Sequence, residues 1–144
     1  MNHNLKQAVD ILHSEHCSFV LLKDGAEPEI SQDIGIKPLM TRLRVNKSAF
    51  AGGVIADKIV GKAAAIMAVL GKAEAVHGEV MSESARQFLE GCGIEYTYGT
   101  LVPYIENRTK TGRCPMEETV LDIEDLTDAF EALERTIQRL MNSR

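Results

Sequence analysis

Apolar residues recur with the spacing of an amphipathic helix in three stretches of the chain. The first stretch lies near the N-terminus and carries Leu5, Ala8, Val9, Ile11 and Leu12. The second is predicted as a helix over residues 57–70 and carries Ile59, Val60, Ala63, Ala64, Met67 and Leu70. The third is predicted over residues 125–141 and carries Leu126, Ala129, Phe130, Leu133, Ile137 and Leu140. Each stripe predicts a helix that buries one face.

Five shorter segments have the composition or the alternating pattern of strands. They are residues 18–23, 27–32, 50–55, 73–81 and 94–102. Asp24 and Gly25 supply turn chemistry between the first two segments, which are therefore expected to return as an antiparallel hairpin.

Two more helices are predicted between these strands. One covers residues 36–46, starts with Pro38 in its first turn, and is expected to turn Leu39, Leu43 and Val45 inward. The other begins after the Ser82 hydroxyl and is closed by the glycines at 91 and 93. Residues 103–115 are predicted as an irregular stretch across the surface.

Strands that alternate with helices predict an α/β fold, with a mixed, mostly parallel sheet covered on both faces and an antiparallel hairpin at one side. The chain has 144 residues, of which 44% are apolar. This length is sufficient for one core without a disulfide or a structural metal. No linker, repeat or low-complexity tract interrupts it, so we expect a single domain over residues 1–144.

Charge and cysteine content exclude several classes of protein. The net charge of −5 argues against a general nucleic-acid binder or a protein of anionic membrane surfaces, because both need a cationic footprint. The three cysteines show no CxxC spacing, so a disulfide framework is not expected. The N-terminus lacks an apolar signal core. We expect a cytoplasmic protein that neither binds nor spans a membrane.

The predicted junctions between strand and helix are the candidate binding site. Asp57 is expected to cap the helix over 57–70, with Lys58 and Lys62 four residues apart on one of its faces. Ser82 and Ser84 stand at the start of the next helix. Because helix N-termini and ammonium groups attract anions, this region predicts a site for a small anionic or nucleotide-like molecule. The alternative is that these residues only cap helices and that the lysines are solvated.

Three segments resemble a small prokaryotic family of unknown function: residues 56–65 (ADKIVGKAAA), 101–105 (LVPYI) and 111–117 (TGRCPME). The resemblance implies a cytidine-deaminase-like fold, a three-layer α/β/α sandwich, and makes a homodimer plausible. Deaminases of that fold hold zinc with His-x-Glu or Cys-x-Glu and Pro-Cys-x-x-Cys motifs. This chain has neither motif where they would fall. We therefore expect no zinc-dependent deaminase activity, and no cofactor.

Cys114 and Glu117 are the candidate catalytic pair. Cys114 lies between Arg113 and Pro115 in a glycine-containing loop, where its thiol could be accessible. If this loop folds over the helix junction, Cys114 could act as a nucleophile and Glu117 as its acid or base. The alternative is a loop cysteine packed against the sheet.

A His-x-x-His-Cys cluster, His13, His16 and Cys17, has ligand types that zinc accepts. Polar groups at a helix C-terminus and a buried cysteine explain it equally well, so we expect no metal site. His77 lies within a strand pattern and is expected to be structural.

The sequence thus favours a protein that binds an anionic or nucleotide-like ligand at paired helix N-termini, without zinc. The first alternative is a metal-independent transferase or hydrolase that uses Cys114 as its nucleophile. The second is an oligomeric interaction module whose pocket is vestigial.

Overall fold

A computed structural model describes residues 2–107 and 109–142 of the chain. Its elements alternate between helices and strands along most of the chain. The helices are α1 (His3–Ser14), α2 (Lys37–Val45), α3 (Lys62–Leu70), α4 (Glu83–Gly91), α5 (Pro115–Val120) and α6 (Leu126–Asn142). The strands are β1 (Phe19–Lys23), β2 (Glu29–Ser31), β3 (Gly53–Val60), β4 (Ala75–Ser82) and β5 (Glu95–Val102).

The five strands form one sheet in the order β2-β1-β3-β4-β5. Strand β1 is antiparallel to both of its neighbours, β2 and β3. Strands β3, β4 and β5 are parallel to one another. The predicted mixed, mostly parallel sheet with a β1–β2 hairpin at one side is confirmed.

Helices cover both faces of the sheet. On one face, Leu5, Ala8 and Leu12 of α1 pack against a cluster of buried sheet residues, Val20, Leu22, Val54, Ala56 and Ala75. On the other face, α2, α3, α4, α5 and α6 contribute to a larger core that includes Phe19, Ile55, Val76, Met67, Leu89 and Leu133. Burial of these apolar faces is the main driving force for the fold.

The third strand covers residues 53–60 instead of the predicted 50–55, so it begins and ends later than predicted, and the helix after it also starts later. Ile59 and Val60 continue β3 and pair with Val80 and Met81 of β4 instead of opening a helix. β-branched side chains favour this extended conformation, and α3 begins only after Gly61. The prediction of a helix over 57–70 is therefore wrong for its first five residues.

Two smaller predictions also need correction. Val45 closes α2 but is 87% exposed, so it does not join Leu39 and Leu43 in the core. Residues 115–120 form a short helix, α5, within and beyond the stretch that was predicted as irregular. Pro115 is the first residue of this helix, a position where proline is common. A helix of six residues is too short to show a clear helical spacing of apolar positions, so it was not predicted. Among the described residues, no helix has the length and apolar character required to cross a bilayer.

Candidate functional site

Helices α3 and α4 begin side by side at the carboxyl ends of the parallel strands β3 and β4. They follow two paired parallel strands, whose last register pairs include Val60 with Met81. Gly61 is the N-cap residue of α3. Ser82 is the N-cap residue of α4, and its hydroxyl accepts a hydrogen bond from the backbone N–H of Ala85 at 3.2 Å. Parallel β-strands therefore bring two positive helix ends together.

The side chain of Glu117 lies between these two helix ends. Its Oε2 accepts hydrogen bonds from the backbone N–H of Lys62 at 2.8 Å, from the Ser82 hydroxyl at 2.5 Å and from the Ser84 hydroxyl at 3.1 Å. Its Oε1 accepts one from the backbone N–H of Ile105 at 2.7 Å. The residue is 1% exposed. A carboxylate of the chain itself thus occupies the position where an anionic ligand was expected.

The segment before α5 carries Glu117 to this position. Glu106 and Arg113 form an isolated β-bridge, and the backbone N–H of Cys114 donates to the carbonyl of Ile105 at 2.8 Å. This closed loop places Ile105 next to the start of α5 and brings its N–H to the carboxylate of Glu117. The hydrogen bonds that order this loop therefore also help to hold the Glu117 carboxylate in place.

The two lysines of the predicted site have separate environments. Lys62 is the first residue of α3, and its ammonium donates to the carbonyl of Leu121 at 2.6 Å, which ties the end of α5 to α3. Lys58 is an exposed residue of β3. The expectation that both lysines lie on one helical face is wrong, because α3 starts four residues after Lys58.

Asp57 does not cap a helix either. It lies within β3, 5% exposed, between Phe19 of β1 and Gly78 of β4 in the sheet register. Its Oδ1 accepts a long hydrogen bond of 3.4 Å from the N–H of Ile59, and its Oδ2 has no partner among the described residues. Burial raises the pKa of this carboxyl to about 7, against the opposing effect of backbone hydrogen bonds.

Cys114 is half-buried and is the N-cap residue of α5. The neighbouring Arg113 places its guanidinium over the ring of Tyr104, 4.8 Å from the centroid. Glu117, the expected partner of Cys114, has both oxygens engaged by the four donors described above. The structure thus brings Glu117 together with Lys62, Ser82 and Ser84, whereas Asp57 and Lys58 lie apart from this group in β3.

Among the described residues, those that start α3 and α4 (Gly61, Lys62, Ser82 and Glu83) include no histidine and no cysteine. The side chains that reach Glu117 there are the hydroxyls of Ser82 and Ser84. Hydroxyls are weak ligands for zinc compared with His and Cys, so these residues do not fit a His and Cys zinc site.

Comparison with protein families gives one match that covers most of the chain. The model of a domain of unknown function, DUF1893 (TM1506), matches residues 7–137. The chain belongs to the DUF1893 family. This agrees with the resemblance to a family of unknown function. No curated protein matches the chain.

A DUF1893 family protein (TM1506) from Thermotoga maritima has a similar crystal structure. The two chains are 24% identical, the TM-score is 0.83, and the match covers 94% of this chain and 90% of that chain. At this identity the likeness shows a shared fold. It assigns no ligand and no reaction to either DUF1893 protein.

A second group of polar residues was missed by the sequence analysis. His13 does not join His16 and Cys17, because its ring contacts Glu79 of β4, which also contacts His77. These three residues form a cluster on the α1 side of the sheet. The alternation of β4 gave a signal, since His77 and Glu79 are two residues apart and hence on the same strand face. Their approach to His13 depends on how α1 packs.

Proposed function

We propose that this protein binds a small anionic or nucleotide-like molecule at the N-termini of α3 and α4, and that Glu117 holds the anion position when no ligand is bound. The observation that carries the proposal is the set of four hydrogen bonds that the buried Glu117 carboxylate accepts. Amide and hydroxyl donors arranged around one carboxylate also suit another carboxylate or a phosphate.

Entry of a ligand requires α5 to move away from α3. This helix has six residues, and a bond between Lys62 Nζ and the Leu121 carbonyl connects its end to α3. When that bond opens, the ammonium of Lys62 becomes free to pair with the charge of the ligand. Lys62, Ser82 and Ser84 are the binding residues of this proposal, and Asp57 and Lys58 are no longer part of it.

The Glu117→Ala variant tests the proposal because it vacates the anion position. We expect inorganic phosphate, acetate or AMP to raise the Tm of this variant more than that of the wild type, at ionic strength matched with chloride. Adding Lys62→Ala should reduce the effect of the anions. Glu118→Ala is the control, because Glu118 is the exposed neighbour of Glu117. An equal response of the Glu117→Ala and Glu118→Ala variants would contradict the proposal.

The wild type supplies a second test, which concerns the motion of α5. If a ligand replaces Glu117, the backbone amides of α5 should exchange hydrogen faster in the presence of the anion that stabilises the Glu117→Ala variant most. Unchanged exchange in α5, with the same anion bound, would show that the ligand binds elsewhere.

A metal-independent transferase or hydrolase with Cys114 as its nucleophile is the second candidate. It is supported by the half-buried position of Cys114 at the N-cap of α5. It requires Glu117 to leave its donors before it acts as an acid or base. This candidate predicts that iodoacetamide labels Cys114 faster than the exposed Cys92 near neutral pH. Slower labelling of Cys114 would exclude it.

The remaining expectations are also proposals: a cytidine-deaminase-like fold, a homodimer and a cytoplasmic location. In that fold the N-termini of α3 and α4 would be the place of the zinc ligands, and the hydroxyls found there argue against zinc-dependent deamination. Light scattering on the purified protein tests the dimer. An oligomer that neither binds anions nor shows a reactive Cys114 would favour the interaction module with a vestigial pocket.

A further inference from the structure

We propose that His13, His77 and Glu79 bind a divalent transition-metal ion, with Zn²⁺ the best fit, on the α1 side of the sheet. One ring nitrogen of each histidine and one carboxylate oxygen of Glu79 lie within 4.8 Å of one another. Two imidazoles and one carboxylate form a donor set that Zn²⁺ favours. This site is independent of the anion site, which lies where α3 and α4 begin.

In the metal-free protein, both histidines contact the same carboxylate oxygen directly. His13 Nε2 lies 2.5 Å and His77 Nε2 lies 2.8 Å from the same oxygen, Oε1 of Glu79. Around a tetrahedral Zn²⁺ ion, neighbouring ligand atoms are about 3.3 Å apart. The two contacts with Oε1 of Glu79 therefore need to lengthen by less than about 1 Å to admit the ion, and the ligand nitrogens of His13 and His77 already lie within 4.8 Å of each other. His13, whose side chain is 56% exposed, and the partly exposed Glu79 have room to do so.

His77 is the fixed member of the group. Its side chain is 8% exposed, and its Nδ1 forms a hydrogen bond of 2.6 Å with the hydroxyl of Thr97 on β5. That bond orients the ring so that Nε2 faces Glu79. A hydroxyl both donates and accepts, so Thr97 can hold His77 in either tautomer. Contacts of this kind to the second ring nitrogen are typical of histidines that ligate metals.

Gly99 of β5 leaves space beside Glu79. A β-carbon at this position would lie 2.8 Å from the Glu79 carbonyl oxygen and 3.4 Å from Oε2. The side chain of Glu79 thus has room on the β5 side. Burial raises the pKa of Glu79. Hydrogen bonds with His77 and His13 outweigh this effect, so the pKa lies below its usual value.

Binding requires no change of oxidation state. The contacts of both Nε2 atoms with Oε1 of Glu79 imply a proton on each Nε2 in the metal-free protein, because an ionised carboxylate only accepts hydrogen bonds. When the ion binds, each neutral ring carries its proton on Nδ1 instead, and the Nε2 lone pairs and the carboxylate coordinate the metal. Three protein ligands leave one tetrahedral position, which water fills on the exposed side of His13.

Calorimetric titration of the purified protein with ZnCl₂ tests the inference. A Cys92→Ser background removes the most exposed thiol as a competing ligand. We expect one Zn²⁺ per chain, and binding at least tenfold weaker after His13→Ala. His16→Ala is the matched control, since His16 is an exposed histidine three residues away that lies outside the cluster. Its affinity for Zn²⁺ should be unchanged.

Thr97→Val tests the positioning of His77. The loss of this contact should weaken zinc binding by about 10- to 100-fold. The Tm of the metal-free variants shows whether the fold is retained; for His13→Ala, on the surface, it should be close to that of the parent. The inference is overturned if the parent binds no zinc, or if His13→Ala and His16→Ala bind it equally well.

Discussion

Gly61 and Glu117 are in such close contact that a β-carbon at position 61 would lie 2.9 Å from Oε2 of Glu117. The same β-carbon would lie 2.9 Å from Cγ1 of Ile105. The backbone of Gly61, with φ −91° and ψ 179°, is one that any residue adopts. The requirement for glycine therefore comes from the approach of the carboxylate to the start of α3.

Replacing Gly61 with alanine should displace the Glu117 carboxylate. We expect Gly61→Ala to lower the free energy of unfolding by about 1–3 kcal/mol, the usual cost of forcing extra atoms into a packed site. Urea denaturation measures this loss. Gly91→Ala is the control, because a β-carbon at the end of α4 would meet no atom of the described residues within 4 Å. This control should be neutral or slightly stabilising.

The two residues should also be energetically coupled. In a Glu117→Ala background the carboxylate is absent, so Gly61→Ala should cost less than it does in the wild type. Equal costs in both backgrounds would show that the contact with Ile105, and not with Glu117, decides the effect.

The second prediction concerns the charge of Glu117. In Glu117→Gln, an amide NH₂ group replaces one carboxylate oxygen. It then faces another donor, either the backbone N–H of Ile105 or the backbone N–H of Lys62. An unmatched buried donor and weaker hydrogen bonds should lower the free energy of unfolding by about 2–4 kcal/mol. Glu118→Gln should cost less than about 1 kcal/mol, since that side chain is exposed. Similar losses for the two variants would mean that the four hydrogen bonds add little stability.

The third prediction follows from the buried carboxyl of Asp57. Its pKa is about 7 in the folded protein and close to 3.8 in the unfolded chain. Between these values the folded state binds one more proton than the unfolded state, so Asp57 destabilises the fold increasingly as pH rises from about 4 to 7. Above pH 7 the cost is complete, and below pH 4 it disappears.

Asp57→Asn removes this titration while keeping the shape of the side chain. The stability of the variant relative to the wild type should therefore increase by up to about 1.4 kcal/mol per pH unit between pH 4 and 7, then level off. Urea denaturation across this range measures the difference. A constant difference at every pH would show that Asp57 has an ordinary pKa in the folded protein.

Local signals in the sequence predicted most of the fold. The apolar stripes of α1 and α6 specify their buried faces, with Leu5 and Leu133 fully buried. The turn at Ser82 was predicted because an N-cap hydroxyl is a local feature, and its bond to the Ala85 N–H spans only three residues. Gly93, with a φ of 71°, ends the turn after α4 in the left-handed conformation that suits glycine.

The end of β3 was not predictable from the same kind of signal. Ile59 and Val60 fit an apolar helical stripe as well as they fit a strand. Their register with Val80 and Met81 decides between these alternatives, and that pairing involves residues 21 positions away. Asp57 and Lys58 were assigned to the wrong element for this reason.

The position of Glu117 also depends on distant parts of the chain. The sequence singled out Glu117, Lys62, Ser82 and Ser84, but it placed Glu117 beside Cys114 as an acid or base. The contact between Glu117 and Lys62 spans 55 residues. Only the packing of Ile105 and α5 at the two helix ends creates it, and no local pattern encodes that arrangement.

Because Glu117 is tethered to the helices that receive it, its local concentration stays the same however dilute the protein becomes. A dissolved anion must compete with the Glu117 carboxylate for the same donors. If this carboxylate has left the donors in about 1% of molecules, the apparent affinity for a ligand is about a hundredfold weaker than the intrinsic affinity. Such a protein would bind only anions that are present at high concentration.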